Sequence, residues 1–244
     1  MVAVAVIGAA GKMGAATCAA VEAAEGLELS SRIGSGDDVE AGLKGAEVAV
    51  VFSVPEVALE HVLTCVRLGV HAVVGVTGWN AERLQAVTDA LEQAPGVGVL
   101  IAPNFALGAV LLMRFAAEAA VHFESVEVIE LHHPNKVDAP SGTARHTAAQ
   151  IAAARRDAGV APSPDATNTG LDGARGADVD GVRVHSVRLR GLVAHEEVLL
   201  GGPGEQLTIR HDSFDRISFM PGVLLAVRKV GSRPGLAVGL EQYL

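Results

Sequence analysis

Residues 2 to 7, VAVAVI, are apolar at every position, which is the pattern of a central parallel strand covered by helices on both faces. A glycine-rich turn follows, and then an alanine-rich helix from about Gly14 to Ala24 that ends near Gly26. Leu27 to Ile33 predicts a second strand, and Gly34 to Gly45 is a polar connection. Val48 to Phe52 predicts a third strand, leading through Ser53 and Pro55 into a helix whose first turn tolerates proline. His71 to Val76 predicts a fourth strand, Asn80 caps a helix running to about Leu91, and Val97 to Ile101 is a fifth strand. This alternation predicts a Rossmann-like, doubly wound parallel sheet. The apolar segment Ala106 to His122, charged only at Arg114 and Glu118, predicts a largely buried helix leaving that sheet.

Beyond Ser125 the rhythm changes. Val126 to Leu131, Val182 to Arg190, Ala194 to Leu200 and Gln206 to His211 read as strands with few helical patterns between them. They predict an α+β second domain with a mixed or antiparallel sheet. Gly159 to Gly181, rich in Gly, Pro, Asp and Asn, reads as a long loop. The apolar helix Ser218 to Val230 is expected to return to the first domain. The expected division is therefore 1–106 with 216–244, and 107–215 between them.

Composition narrows the functional classes. The 244 residues are 50% hydrophobic but only 3% aromatic, so Ala, Val, Leu and Ile must build the core. The net charge of -9, with no basic cluster, argues against a nucleic-acid partner. Cys18 and Cys65 form neither a disulfide framework nor a zinc spacing. No apolar run reaches the roughly 18 residues of a spanning helix, and the start lacks the basic region of a leader. The chain reads as cytoplasmic, with no membrane partner.

Between the first strand and first helix lies Gly8-Ala9-Ala10-Gly11-Lys12-Met13-Gly14. Glycines there permit a tight turn and close backbone approach, and free helix N-terminal N–H groups bind phosphate. The first domain is thus expected to bind a dinucleotide. A carboxylate for the ribose usually stands about 20 residues on. Here the stretch is Ser30-Ser31-Arg32-Ile33-Gly34-Ser35, with no carboxylate before Asp37. Arg32, Ser35 and Lys12 could meet a 2′-phosphate instead, or Arg32 could be a solvated surface charge. NADPH is placed slightly ahead of NADH, with dual use expected. Gly75-Val76-Thr77-Gly78 and Ala102-Pro103-Asn104-Phe105 follow the fourth and fifth strands, on the ligand-binding edge of such a sheet.

The most informative stretch is Glu130-Leu131-His132-His133-Pro134-Asn135-Lys136-Val137-Asp138-Ala139-Pro140-Ser141-Gly142-Thr143-Ala144. Paired histidines, a lysine and Ser141-Gly142-Thr143 at a helix start make a cationic, donor-rich pocket for an anion such as a carboxylate. Histidine exchanges a proton near neutral pH, so a hydride delivered by a nicotinamide could be matched by protonation. His132 and His133 could also join Asp138 on a metal, although adjacent residues rarely chelate one ion, and no metal is expected. Ser141 lacks a nucleophile elbow and reads as the helix cap.

These motifs resemble the 4-hydroxy-tetrahydrodipicolinate (dihydrodipicolinate) reductase family of the bacterial diaminopimelate and lysine pathway, in its shorter actinobacterial form. The resemblance rests on Gly8 to Gly14, Gly75 to Gly78, Ala102 to Phe105 and Glu130 to Ala144, and spans nearly the whole chain. It implies an NAD(P)H-dependent reductase of a cyclic dicarboxylate. By position, His132 becomes a proton donor or acceptor and Lys136 the proton donor near the substrate nitrogen. His133, Lys136, Gly142 and Thr143 bind the substrate. The cofactor lies on Gly8, Ala9, Ala10, Gly11, Lys12, Met13, Gly75, Val76, Thr77, Ala102, Pro103, Asn104 and Phe105. A homotetramer built through the second-domain sheets, and domain closure over the substrate, are also implied. The chain departs from the family at Val76, where a threonine is common, at Gly34, where an acid is common, and at Ser53, which replaces a threonine. Another NAD(P)-dependent dehydrogenase of small carboxylates would lack the complete His132-to-Ala144 segment. A non-catalytic NAD(H) sensor would need a partner-binding or DNA-binding module that the chain does not display.

Overall fold

The all-apolar run Val2–Ile7 forms β1 at the middle of a parallel sheet in the computed structural model, which describes residues 1–244. Val4, Ala5 and Val6 are fully buried, as strands covered on both faces require. The chain continues through α1 (Lys12–Ala23), β2 (Leu27–Ile33), α2 (Val39–Gly42), β3 (Val48–Val51), α3 (Pro55–Arg67), β4 (His71–Val74), α4 (Ala81–Glu92) and β5 (Gly98–Ile101). Asn80 Oδ1 accepts from Arg83 N at 2.9 Å, the expected cap of α4. The stretch 34–45 is not all connection. Asp38 Oδ1 accepts from the Glu40 and Ala41 amides at 3.0 and 3.2 Å and starts the single turn α2, too short to show a hydrophobic period.

Helix α5 (Leu107–Ala120) buries Ala109, Val110, Leu112, Met113, Ala116 and Ala120, while Phe115 remains exposed. The expectation of a largely buried helix is corrected to one buried face. Its apolar residues outnumber the positions that a one-sided packing can cover. Then come β6 (Ser125–His132), α6 (Gly142–Asp157), β7 (Ala177–Val179), β8 (Val182–Arg188), β9 (Ala194–Gly202) and β10 (Glu205–Ser213). They form a five-stranded sheet in the order β10-β9-β6-β8-β7. The β6–β8 pair is parallel and the other pairs are antiparallel, so this sheet is mixed.

The stretch 159–181 is a loop only as far as Gly176, because β7 pairs with β8 in its last part. The loop is tied down at two points. The buried Arg155 guanidinium donates to the carbonyls of Ala120, Phe123, Glu124 and Ala161 at 2.6–2.9 Å. Arg175 bridges Glu127 and Asp165, and His185 Nε2 lies 2.7 Å from Glu127.

A 3-10 turn (Arg216–Phe219), α7 (Met220–Lys229) and β11 (Gly235–Val238) complete the chain. Strand β11 extends the first sheet beside β5, giving the order β11-β5-β4-β3-β1-β2 with every pair parallel. By contacts the chain divides into 1–106 with 216–244 and a second unit, 107–215. In the first unit the strand order reverses at β1, and the loops after β1, β3, β4 and β5 all leave the carboxyl ends of their strands. That edge is where open α/β sheets bind ligands.

Candidate active site

In the first unit Gly8 has φ +85°, in the left-handed region that favours glycine, and a Cβ there would lie 2.5 Å from the Phe52 carbonyl. Gly14 is equally constrained, since its Cβ would lie 2.1 Å from the Gly8 oxygen. Gly11 is the N-cap of α1 and supplies no side-chain acceptor, so the helix start presents its N–H donors without an internal cap. Together these features fit a dinucleotide pyrophosphate at Gly8 to Met13.

The neighbouring loops complete that edge. Gly75 is required where a Cβ would enter the Phe52 ring at 2.1 Å, and Phe52 packs edge-on to Phe105 with centroids 6.0 Å apart. Asn104 Oδ1 accepts from Ala106 N at 2.8 Å and shapes the turn after β5. Val76, Ala102 and Phe105 have buried side chains, so they offer a ligand mainly backbone. Ser53 Oγ lies 3.0 Å from His61 Nδ1.

At the end of β2, Arg32 donates to Glu22 at 2.6 Å. Both side chains are about half exposed, so Arg32 is a surface charge, here paired with Glu22. Asp37 Oδ2 folds back to accept from Gly34 N at 2.8 Å. Asp37, the first carboxylate after β2, is thereby held at the Gly34 backbone.

In the second unit, alternation along β6 puts Val126, Val128 and Glu130 on the buried face and ends it with His132. Glu130 is completely buried. Its Oε2 lies 2.5 Å from His132 Nδ1, and Arg188 grips both carboxylate oxygens at 2.8 Å. Oε1 also accepts from Ser141 N at 3.1 Å. Burial pushes the Glu130 carboxyl upward, but hydrogen bonds from Arg188, Ser186 and His132 outweigh it and hold the group below the usual carboxylate range. Burial pushes His132 below its ordinary value. Glu130 draws it up, while Lys136 and Arg188 push it further down.

Lys136 Nζ donates to Asp138 Oδ1 at 2.6 Å, and Asp138 Oδ2 accepts from Gly142 N at 3.2 Å. Ser141 Oγ accepts from Ala144 N at 3.1 Å, the cap expected for α6. His132, Lys136, Gly142 and Thr143 are therefore gathered where β6 ends and α6 begins, and His133 is exposed in the same loop. His132, His133 and Asp138 are not drawn together as a metal-binding set, and Asp138 is paired with Lys136. The sequence motif contains Glu130 but gives it no task, and Arg188 lies far outside the motif in sequence. Parallel pairing of β6 with β8 places Arg188 opposite His132.

Glu196 on β9 stands opposite Glu130, buried beside a hydrogen-bonded Thr147. Burial pushes its carboxyl up to about 7, despite the Thr147 hydrogen bond. The folded chain keeps this proton at pH values where the unfolded chain has released it. Stability should therefore fall as pH rises from the ordinary glutamate range to about 7, and then level off. The loss is at most about 3 kcal/mol. Glu196→Gln is expected to remove that slope in thermal melts across pH, giving a higher Tm than the wild type at pH 8 and a similar one at pH 4. An unchanged slope would show that Glu196 ionises normally.

A glycine-turned parallel sheet in one unit and a turn carrying histidine and lysine at a helix start in the other define a dinucleotide-dependent oxidoreductase. Residues 2–105 match the family model described as dihydrodipicolinate reductase, N-terminus, and residues 108–244 match its C-terminus counterpart. The chain belongs to the dihydrodipicolinate reductase family, whose cofactor is a nicotinamide dinucleotide. A 4-hydroxy-tetrahydrodipicolinate reductase of Nocardia farcinica is 64% identical over 242 residues, covering 99% of this chain and 98% of its own. One from Beutenbergia cavernae is 61% identical over 241 residues, with the same coverage of 99% and 98%. The dipicolinate-bound dihydrodipicolinate reductase of Paenisporosarcina sp. TG-14 has a TM-score of 0.89 to this chain at 37% identity, covering 100% of both.

Proposed function

We propose that the chain catalyses the NAD(P)H-dependent reduction of (2S,4S)-4-hydroxy-2,3,4,5-tetrahydrodipicolinate to 2,3,4,5-tetrahydrodipicolinate, with loss of water, in the diaminopimelate route to lysine. The observation that carries this reading is the His132-to-Thr143 turn, in which two proton-carrying side chains, His132 and Lys136, stand at the start of α6 in a member of this reductase family. The first unit holds the dinucleotide on Gly8 to Met13, Gly75 to Thr77 and Ala102 to Phe105. The second unit binds the dicarboxylate through His133, Lys136, Gly142 and Thr143.

When bound, the nicotinamide supplies a hydride. Lys136 delivers a proton from Nζ to the substrate nitrogen, and Asp138, which holds one N–H of that ammonium, leaves the others to face the substrate. His132 carries the proton that leaves a ring carbon as the hydroxyl departs as water and that returns to carbon afterwards, so that one hydride and one net proton are consumed. The dipicolinate held by the Paenisporosarcina enzyme is a planar dicarboxylate of the same class, which supports the cationic turn as the anion site.

For the cofactor we propose dual use with NADPH slightly ahead. Gly34 brings no carboxylate side chain to the ribose, and Lys12, Arg32 and Ser35 stand nearby in sequence. Asp37 at the Gly34 amide supports NADH as well, and Glu22 competes for Arg32. A cytoplasmic homotetramer completes the proposal. The edge strands β7 and β10 give assembly a physical motive, because exposed edges invite pairing. Sedimentation equilibrium should then report four chains.

The activity is tested by generating the substrate in place with a synthase, pyruvate and aspartate semialdehyde, and following NADPH and NADH oxidation separately. Consumption that requires every component supports the reading. A folded protein that binds cofactor and consumes none would favour an NAD(H) sensor or another substrate.

A further inference from the structure

The buried end of β6 contains more ionic machinery than proton exchange at His132 and Lys136 requires. Glu130 touches neither solvent nor any open face, yet its two oxygens hold three separate parts of the second unit. Oε2 meets the His132 ring, both oxygens meet the Arg188 fork, and Oε1 meets the amide that begins α6. Arg188 also donates to the Asp138 carbonyl at 2.6 Å, so the same ion pair braces the loop that presents Lys136. A buried carboxylate is costly to keep unless it is paired and its lone pairs are filled. Here His132, the Ser141 amide and the Asp138 carbonyl, three partners of the pair, belong to the segment that carries the chemistry, while Ser186 and the Val187 carbonyl hold it from β8.

An ionised carboxylate can only accept hydrogen bonds. The imidazole nitrogen facing Glu130 must therefore carry a proton, which leaves the other nitrogen as the one that exchanges. We propose that Glu130 is the positioning residue of the reaction, fixing His132 in the Nδ1–H tautomer so that Nε2 is its proton-exchanging atom, and tying that ring to the anion-binding start of α6. The inference rests on the proposed role of His132.

Other groups around the ring agree with this assignment. Arg188 approaches from β8, and Lys136 with its partner Asp138 from the loop. From β9, Glu196 lies beside Glu130 rather than beside the ring, and His195 turns to Asp212 at 2.7 Å. Helix α6 contributes the neutral Thr147, bonded to Glu196. Glu130 is thus the anion in contact with His132. Its removal should lower the affinity of the ring for a proton, because the negative charge that favours imidazolium is gone while the nearby cations remain.

Two measurements test the proposal. In the wild-type protein, nitrogen-15 NMR of labelled histidine, assigned with His132→Gln, should show His132 protonated at Nδ1 and unprotonated at Nε2 near neutral pH. An Nε2–H tautomer would overturn the proposal without reference to any active-site variant's folding. In Glu130→Gln, kcat should fall about 10- to 100-fold with little change in substrate KM, and the His132 limb of the pH profile should move about one to two units to lower pH. Glu130→Asp, which restores charge but not reach, should recover the limb more fully than kcat. Unchanged kcat and an unchanged limb in Glu130→Gln would also overturn it. If wild-type protein showed the expected tautomer but did not turn over the substrate, the proposed reaction would fail. Normal turnover with the opposite tautomer would sink the positioning role alone.

Discussion

Lys136→Ala is expected to lower turnover by about 100- to 10,000-fold, the range ordinarily supplied by a positioned acid, while the cofactor dissociation constant changes by less than about twofold. The side chain is only 22% exposed, with its ammonium held by Asp138 at 2.6 Å. Alanine removes both the proton carried on Nζ and a positive charge facing the substrate. Asp138 is then left as an unpaired anion in a site built for anions, so substrate KM should rise as well. The glycine turn to which we assign the dinucleotide lies in the other unit of the chain, and its Gly8-to-Gly14 geometry does not depend on this amine. Steady-state kinetics beside a fluorescence titration of NADPH separate the effects. Equal losses in turnover and cofactor binding would contradict the role given to Lys136.

Gly14→Ala should produce the complementary result, weakening NADPH binding by about 100-fold or more with the rest of the chain still folded. One methyl group at Gly14 would lie 2.1 Å from the Gly8 oxygen and 2.8 Å from the Ala9 Cα. Both neighbours are backbone, so the turn itself must shift, and displacement of a binding group by about 1 Å can cost about 100-fold. The N–H groups at the start of α1, which we propose meet the phosphates, would move with it. Calorimetric titration with NADPH, paired with a thermal melt, measures this directly. Unchanged affinity in a folded variant would mean that the pyrophosphate does not rest on Gly8 to Met13.

Five of the six strands of the first sheet were legible, the central ones because strands buried on both faces need apolar residues at nearly every position. Val2–Ile7 appears with correct ends for that reason, and so does the edge strand Leu27–Ile33, although it is apolar only at Leu27, Leu29 and Ile33. Strand β11 was not foreseen. Its four residues, Gly235-Leu236-Ala237-Val238, carry no period of their own and become a strand only by pairing with β5. Strand β7 was hidden for a similar reason, since Ala-Asp-Val has the composition of a loop until β8 pairs with it.

The candidate site shows the same division. Its chemistry was contiguous in sequence from Glu130 to Ala144, so its residue types could be read directly. Its support was not contiguous, because Arg188 and Glu196 arrive from β8 and β9 through sheet pairing. One local signal was available. Glu130 interrupts the buried-face series Val126 and Val128 with a carboxylate, and an acid on the core face of a strand needs partners. The ribose end of the cofactor site was harder to read, because spacing alone gives neither the return of Asp37 to Gly34 nor the pairing of Glu22 with Arg32.

Hydride transfer to the cyclic dicarboxylate is the central claim, and isotope tracing tests it most directly. The substrate would be generated in place and reduced with NADPH carrying deuterium at the transferable nicotinamide position, and the product examined by mass spectrometry. The account predicts one deuterium on a ring carbon of tetrahydrodipicolinate, formed by the wild-type chain and nearly absent with Lys136→Ala. Product without deuterium, or no product from protein that binds NADPH, would contradict it.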